Sequence, residues 1–414
     1  MQPFFGADGL RDMRFILITS LSLVSVYTLA QTSVLFLGNS YTAFNNLPQI
    51  TTDVAASAGF EMTTGANTPG GFTLSGHSSN ATSQQLIAEG TWDYVVLQEQ
   101  SQMPSFPIWQ VETECFPFAQ SLNALILDAN PCAETVFYMT WGRENGDAQN
   151  CPNWPPVCTY EGMDDLLYER YNQMAGDNEG IVSPVGRVWR YLRENAPQVD
   201  LYSPDGSHPS YAGSYAAAVT FFCVIMRADP ALVTFDGALS AADAETIRNA
   251  VQLVVFNNLA QWLVGLYDPM ASFTYQPVSS TQIQCTSTSV NAEGAVFQWS
   301  SDAAEASGEV VTLDFPGPGS YDVTLTITTP CSSSIITQEV VVGEVGIRTP
   351  VHEVVVVYPN PSSGVVNIRR PDSWRGVPIR ITDASGRVIA ETMDDSIFLS
   401  PGVYSVGGVR VVVE

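Results

Sequence analysis

The sequence predicts an α/β body, a parallel sheet flanked by helices, followed by two small all-β sandwich domains. Three observations predict it. Over residues 31 to 270, short apolar runs alternate with longer helical patterns, as they do when helices cover both faces of a parallel sheet. From 271 to 345 and again from 346 to 414, short period-2 strands are separated by Gly, Pro, Asn and Asp, the pattern of small sandwiches. The charge changes at the same borders. Residues 31 to 270 carry 25 acids against 7 Arg, 271 to 345 carry 8 acids and no base, and 346 to 414 carry 7 of each.

Across all 414 residues the formal net charge is −26, and all 16 basic residues are Arg. The missing lysine excludes Schiff-base catalysis, a Walker-type phosphate loop and a polybasic surface for nucleic acid. Hydrophobic residues make up 45% of the chain, enough for packed cores.

At the amino end, Arg11 and Arg14 precede the apolar run Phe15 to Leu29, which stops at Ala30 before Gln31. Residues 1 to 30 read as a secretory signal peptide, with Met13 an alternative start to Met1. The run is too short for a spanning helix, and no transmembrane helix is expected once it is removed. Export permits disulfides among the seven cysteines. Cys151 and Cys158 bracket a Pro-rich loop and suit a short closure; Cys285 with Cys331 and Cys115 with Cys132 are the other expected pairs, leaving Cys223 as a buried thiol. None of the three histidines lies near a C-x-x-C pair, so no metal site is expected, and the serine chemistry read below needs no organic cofactor.

Within the body, Ser33 to Leu37, Trp92 to Leu97 and Glu134 to Trp141 read as buried strands. Asp164 to Met174 reads as a polar-apolar helix and Tyr211 to Arg227 as an amphipathic one. Trp141, Arg143 and Glu144 follow a strand end, where sites form on such sheets. Directly after the first strand stands Gly38-Asn39-Ser40, a small-residue turn that presents a hydroxyl beside a helix N-terminus. Ser40 is there either a helix cap or a nucleophile with its own N–H at hand for an oxyanion. A serine nucleophile needs a base. His352 lies in the linker before the last domain, and His77 has no acid within ten residues. His208 follows Asp205 by three, a spacing at which a carboxylate fixes the imidazole tautomer.

In position, order and spacing, Gly38-Asn39-Ser40 and Asp205-Gly-Ser-His208 resemble the SGNH (GDSL-like) hydrolase family over residues 32 to 268. The resemblance implies Ser40, Asp205 and His208 as catalytic residues and an oxyanion hole of Ser40 N–H, a glycine N–H and a side-chain amide. The glycine maps onto Pro69-Gly70-Gly71-Phe72, with Gly71 preferred. The family's Asn is absent; Gln98-Glu99-Gln100 stands in its place, and Gln98 or Gln100, with Gln98 preferred, supplies the amide.

Gly319-Ser-Tyr-Asp-Val-Thr-Leu in the second domain looks like a PKD-type immunoglobulin-like module. Tyr358-Pro359-Asn360-Pro361, Gly386-Arg387-Val388 and Gly402-Val403-Tyr404 resemble the C-terminal sorting domain of proteins exported by the type IX secretion system of Bacteroidetes. The domains expected are thus 1–30, 31–270, 271–345 and 346–414. The reading is a secreted or cell-surface serine esterase that meets the type IX secretion machinery. Its substrate is an acylated small molecule or polysaccharide, O-acetyl groups on carbohydrate above all. The alternative on the same fold is a surface carbohydrate-binding or adhesive protein with little or no turnover.

Overall fold

The structure, a computed structural model, describes residues 31–343, 355–358, 362–370, 378–384 and 386–413. The leader, His352 and the Pro359-Asn360-Pro361 part of the sorting motif lie outside them.

The chain enters through β1 (Thr32–Leu37), whose residues Val34 to Leu37 are fully buried. Such a continuous apolar run suits a strand covered on both faces. With β2 (Met62–Asn67), β3 (Tyr94–Leu97), β4 (Glu134–Tyr138) and β5 (Ile181–Ser183) it forms one parallel sheet in the order β2-β1-β3-β4-β5. The strand order reverses direction between β1 and β3, so the loops leaving their carboxyl ends diverge and open a crevice.

Among the described residues, ten α-helices connect the strands or follow them: α1 (Ser40–Ala43), α2 (Leu47–Ser57), α3 (Leu74–Ser79), α4 (Ala81–Ala88), α5 (Ile108–Glu114), α6 (Phe116–Ala129), α7 (Tyr160–Asp177), α8 (Val185–Asn195), α9 (Tyr211–Met226) and α10 (Ala241–Val254). The expected amphipathic helix near the end of the body is α9, and it is not amphipathic. Every residue from Ala212 to Ile225 is buried, because α2, α8 and α10 all pack against it. A helix apolar all round is a core element, and the alanines at 216 to 218 let its neighbours approach closely.

The second core draws on residues 271 to 342. One sheet is β10-β7-β6, with β6 (Phe273–Pro277), β7 (Gln282–Ser287) and β10 (Val310–Asp314). The other is β12-β11-β8-β9, with β8 (Val296–Ser300), β9 (Glu305–Ser307), β11 (Gly319–Thr328) and β12 (Ser333–Val342). Inward residues alternate along β11, where Val323, Leu325 and Ile327 are fully buried and pack with Trp299 and Phe273. A third core, from Val355 to Val413, is closed by two more sheets. One is β13-β14-β17, with β13 (Val356–Tyr358), β14 (Val365–Arg369) and β17 (Ser396–Phe398). The other is β16-β15-β18-β19, with β15 (Ile379–Asp383), β16 (Val388–Thr392), β18 (Gly402–Val406) and β19 (Val409–Val413). Among the described residues no helix is long and apolar enough to cross a membrane.

Two of the three expected cysteine pairs are corrected. Cys151 bonds Cys158 as expected, but Cys132 bonds Cys331, 199 positions away, and joins the body to the β11–β12 turn of the second domain. Cys115 and Cys285, expected as their partners, are buried free thiols inside two different cores, out of reach of a bridge, and Cys223 is a third.

Candidate active site

The turn after β1 is held from below. Asn39 caps α1, its Oδ1 accepting from Tyr41 N at 3.1 Å, while its Nδ2 donates to Phe72 O at 2.8 Å and so ties in the Gly70-Gly71 loop. Gly38 is required here: a Cβ would stand 2.4 Å from Thr42 Oγ1 and 2.8 Å from Gln98 Oε1. Beneath it, His77 is fully buried with Nε2 2.8 Å from Gly38 O and Nδ1 2.8 Å from Ser83 Oγ. A carbonyl can only accept, so Nε2 carries the proton and Nδ1 accepts from the Ser83 hydroxyl. Burial pushes the His77 pKa down, outweighing the bond to Gly38 O, so the ring is neutral.

The loop 203–210 brings the second half. Gly206 turns it at φ 64°, and Asp205 Oδ1 accepts the N–H groups of Ser207 and His208 at 3.0 and 2.9 Å. Asp205 Oδ2 lies 2.5 Å from His208 Nδ1, and His208 Nε2 lies 2.9 Å from Ser40 Oγ. Because the carboxylate accepts, Nδ1 carries the proton and Nε2 is free to accept from the serine hydroxyl. Burial raises the Asp205 pKa, but the bonds from His208 and the two amides more than offset it and hold the carboxyl below its usual range. The structure therefore joins Ser40, His208 and Asp205 in one hydrogen-bond chain across 168 positions of sequence.

Gly71 has a positive φ of 71° and is exposed at the tip of its loop. Among the described residues, neither Ser40 N–H nor Gly71 N–H has a hydrogen-bond partner. Gln98, the preferred amide, bonds into the serine turn. Its side chain is fully buried, its Oε1 accepts from Asn39 N at 2.9 Å and Thr42 Oγ1 at 3.0 Å, and its Nε2 donates to Glu99 O at 2.5 Å. The side chain is fully buried and spends its oxygen and one of its two N–H groups inside the protein, so Gln98 acts as a strut under the serine turn. Gln100 closes its own loop through Oε1, which accepts from Gln102 N and Met103 N, and its Nε2 has only loose contacts of 3.4 and 3.2 Å with Ser101 and Gln102.

Glu99, between them, is fully buried and accepts from Leu74 N and Gln100 N, joining the start of α3 to the end of β3. Burial pushes its pKa up to about 7, against those bonds. Trp141 does not line an opening. It is fully buried, stacked between Tyr41 and Trp189 at 4.8 and 3.7 Å, and its Nε1 donates to Ser207 O. Arg143 is pinned to the fully buried Asp147 at 3.2 Å, and Glu144 meets the Asp205 loop through its N–H to Gly206 O. Asn39 is part of the Gly38-Asn39-Ser40 motif and Tyr41 adjoins it, whereas nothing in the sequence around His77 marked it as a support.

Residues 356–406 match the secretion system C-terminal sorting domain. That match marks the chain as a secreted or cell-surface protein. No curated protein matches the sequence. Among solved structures the chain is similar to a DUF4886 family protein from Bacteroides uniformis, at 16% identity and TM-score 0.47, over 54% of this chain and 94% of that one. It is also similar to a candidate SGNH hydrolase from Slackia heliotrinireducens, at 28% identity and TM-score 0.38, over 46% and 97%. The PKD1 domain of the Vibrio cholerae metalloprotease PrtV is similar at 25% identity and TM-score 0.17, over 18% of this chain and 96% of that domain.

Proposed function

We propose that the chain is a secreted serine esterase of SGNH type, with Ser40, His208 and Asp205 as its catalytic residues. The observation that carries this is the unbroken chain from Ser40 Oγ through both ring nitrogens of His208 to Asp205. Ser40 Oγ attacks the ester carbonyl carbon while His208 Nε2 takes its proton, and Asp205 steadies the imidazolium that results. The negative charge that forms on the carbonyl oxygen is held by the unpartnered N–H groups of Ser40 and Gly71. Collapse breaks the bond to the alcohol oxygen, which leaves with the proton from His208 Nε2. Water, deprotonated by the same nitrogen, then cleaves the acyl-serine and releases the carboxylic acid.

The substrate we favour is an O-acetyl group on carbohydrate. The Asp205 side chain is 50% exposed and that of His208 27%, so the pair is reachable from solvent by a substrate as large as an acylated sugar chain. One observation favours a slow enzyme over a fast one, namely that Gln98, the expected third oxyanion donor, is fully buried and spends its oxygen and one N–H on neighbouring groups. The test is hydrolysis of 4-nitrophenyl acetate by the exported chain, followed by acetate release from an acetylated polysaccharide. Ser40→Ala should abolish both without changing the melting temperature; retained activity in that variant overturns the reading.

A further inference from the structure

The Ser40 to His208 hydrogen bond is not the sole tie between the two segments that carry these residues. Tyr41 OH lies 2.7 Å from Ser207 Oγ, and its ring meets the His208 ring edge-on at 5.5 Å. Phe44, one residue past α1, stacks its ring on the imidazole, with centroids 4.3 Å apart and planes 18° from parallel. Asn45 Nδ2 reaches across to Pro209 O at 3.3 Å, Ser210 O at 3.0 Å and Ser214 Oγ at 2.9 Å. Asn45 and Asn46 hold φ of 56° and 58°, two successive left-handed residues, neither of them glycine. Strain of that kind persists only where surrounding contacts impose it, and it concentrates at working sites.

The exposure of the pair explains what these contacts are for. With Asp205 half exposed and His208 about a quarter exposed, water competes for both ring nitrogens, and the bonds to Asp205 and Ser40 lie at the ring edge and leave its faces to be held by other groups. We propose that Phe44 and Asn45 are a clasp that positions His208 against Ser40. Asn45 fixes the backbone just past His208 to the serine segment, and Phe44 closes one face of the ring to water and sets its plane. The same aromatic face stabilises the imidazolium that forms when Ser40 gives up its proton. Phe44 stays 39% exposed although it is large and apolar, which fits a side chain kept at the site rather than in the core.

The purpose of the clasp rests on the esterase reading, so the experiment has one readout that needs no turnover. In the full exported chain, Phe44→Leu keeps apolar bulk but loses the flat ring, Phe44→Tyr keeps the ring, and Asn45→Gly keeps the left-handed backbone but loses the amide. With 4-nitrophenyl acetate, Phe44→Leu and Asn45→Gly should each lower kcat about tenfold with KM within about twofold, within the hundredfold that an ångström of misplacement can cost. Phe44→Tyr should restore kcat. In proton NMR spectra, the downfield His208 Nδ1–H signal, identified by its loss in Asp205→Asn, should persist in wild type and Phe44→Tyr and broaden away in Phe44→Leu. An unchanged kcat and an unchanged signal in Phe44→Leu would overturn the clasp. A wild type that hydrolyses nothing yet shows this NMR pattern would fail the esterase reading and keep the clasp.

Discussion

The floor beneath Ser40 and the loop beside it are built from the same kinds of side chain and do opposite work. In the floor, His77, Gln98 and Glu99 are fully buried, every bond they make goes to a backbone group or a neighbouring side chain, and His77 is held neutral. In the loop, Asp205 and His208 are partly exposed and the imidazole turns one nitrogen to the Ser40 hydroxyl. A histidine becomes a base through what its second nitrogen is left to do. His77 donates to a carbonyl and accepts from Ser83, which uses up both nitrogens; His208 has one to spend.

Four changes break or sharpen this contrast, the largest first. Asp205→Asn should lower kcat by about three to four orders of magnitude, because an amide stabilises the wrong tautomer, while the melting temperature stays put; an unchanged rate would move the base elsewhere. Gln98→Ala attacks the floor. It leaves Asn39 N–H and the Thr42 hydroxyl without their acceptor, so stability should drop by about 2–4 kcal/mol in denaturant titration. Were Gln98 an oxyanion donor instead, kcat would fall about a hundredfold or more with stability intact.

The two buried titrating groups of the floor have opposite signs with pH. Glu99 has its pKa raised from 4.5 to about 7, so its contribution to stability is fully present below about pH 4.5 and lost as pH rises through 7. Glu99→Gln should therefore gain on wild type between pH 5 and 8, by at most about 3 kcal/mol. His77 is shifted down, so below about pH 6.5 the unfolded chain binds a proton that the folded one refuses, and stability falls as pH drops. His77→Gln should flatten that acid limb by on the order of 1 kcal/mol per pH unit. An identical pH slope in variant and wild type would show that His77 titrates freely.

What the sequence made legible was local. The buried strand before Ser40, the Asp205 to His208 spacing and the alternation along β11 each lie within a few residues, and each has its expected form in the structure. What it hid was made at long range. Gln98 Oε1 meets Asn39 N across 59 positions and His77 meets Gly38 across 39, so neither strut has a spacing to betray it. The amide of Gln98 looked available because nothing in Gln98-Glu99-Gln100 says which glutamine faces down. The Cys132–Cys331 bond spans 199 positions and two cores, whereas Cys151 and Cys158, seven apart, were readable from the loop between them. The burial of α9 was different: its nearly continuous apolar composition already marked a core helix, and the three neighbours that close over it are what that composition called for.

The place of the long bond has a consequence for how the molecule faces its surroundings. Cys132 stands just before β4, at the amino-terminal margin of the parallel sheet, whereas Ser40 follows the carboxyl end of β1. All five strands run the same way, so the bond and the serine lie on opposite margins. The molecule has a front and a back, and the second domain is riveted to the back. The Cys132–Cys331 bond thus fastens the β11–β12 turn at the margin of the sheet away from Ser40.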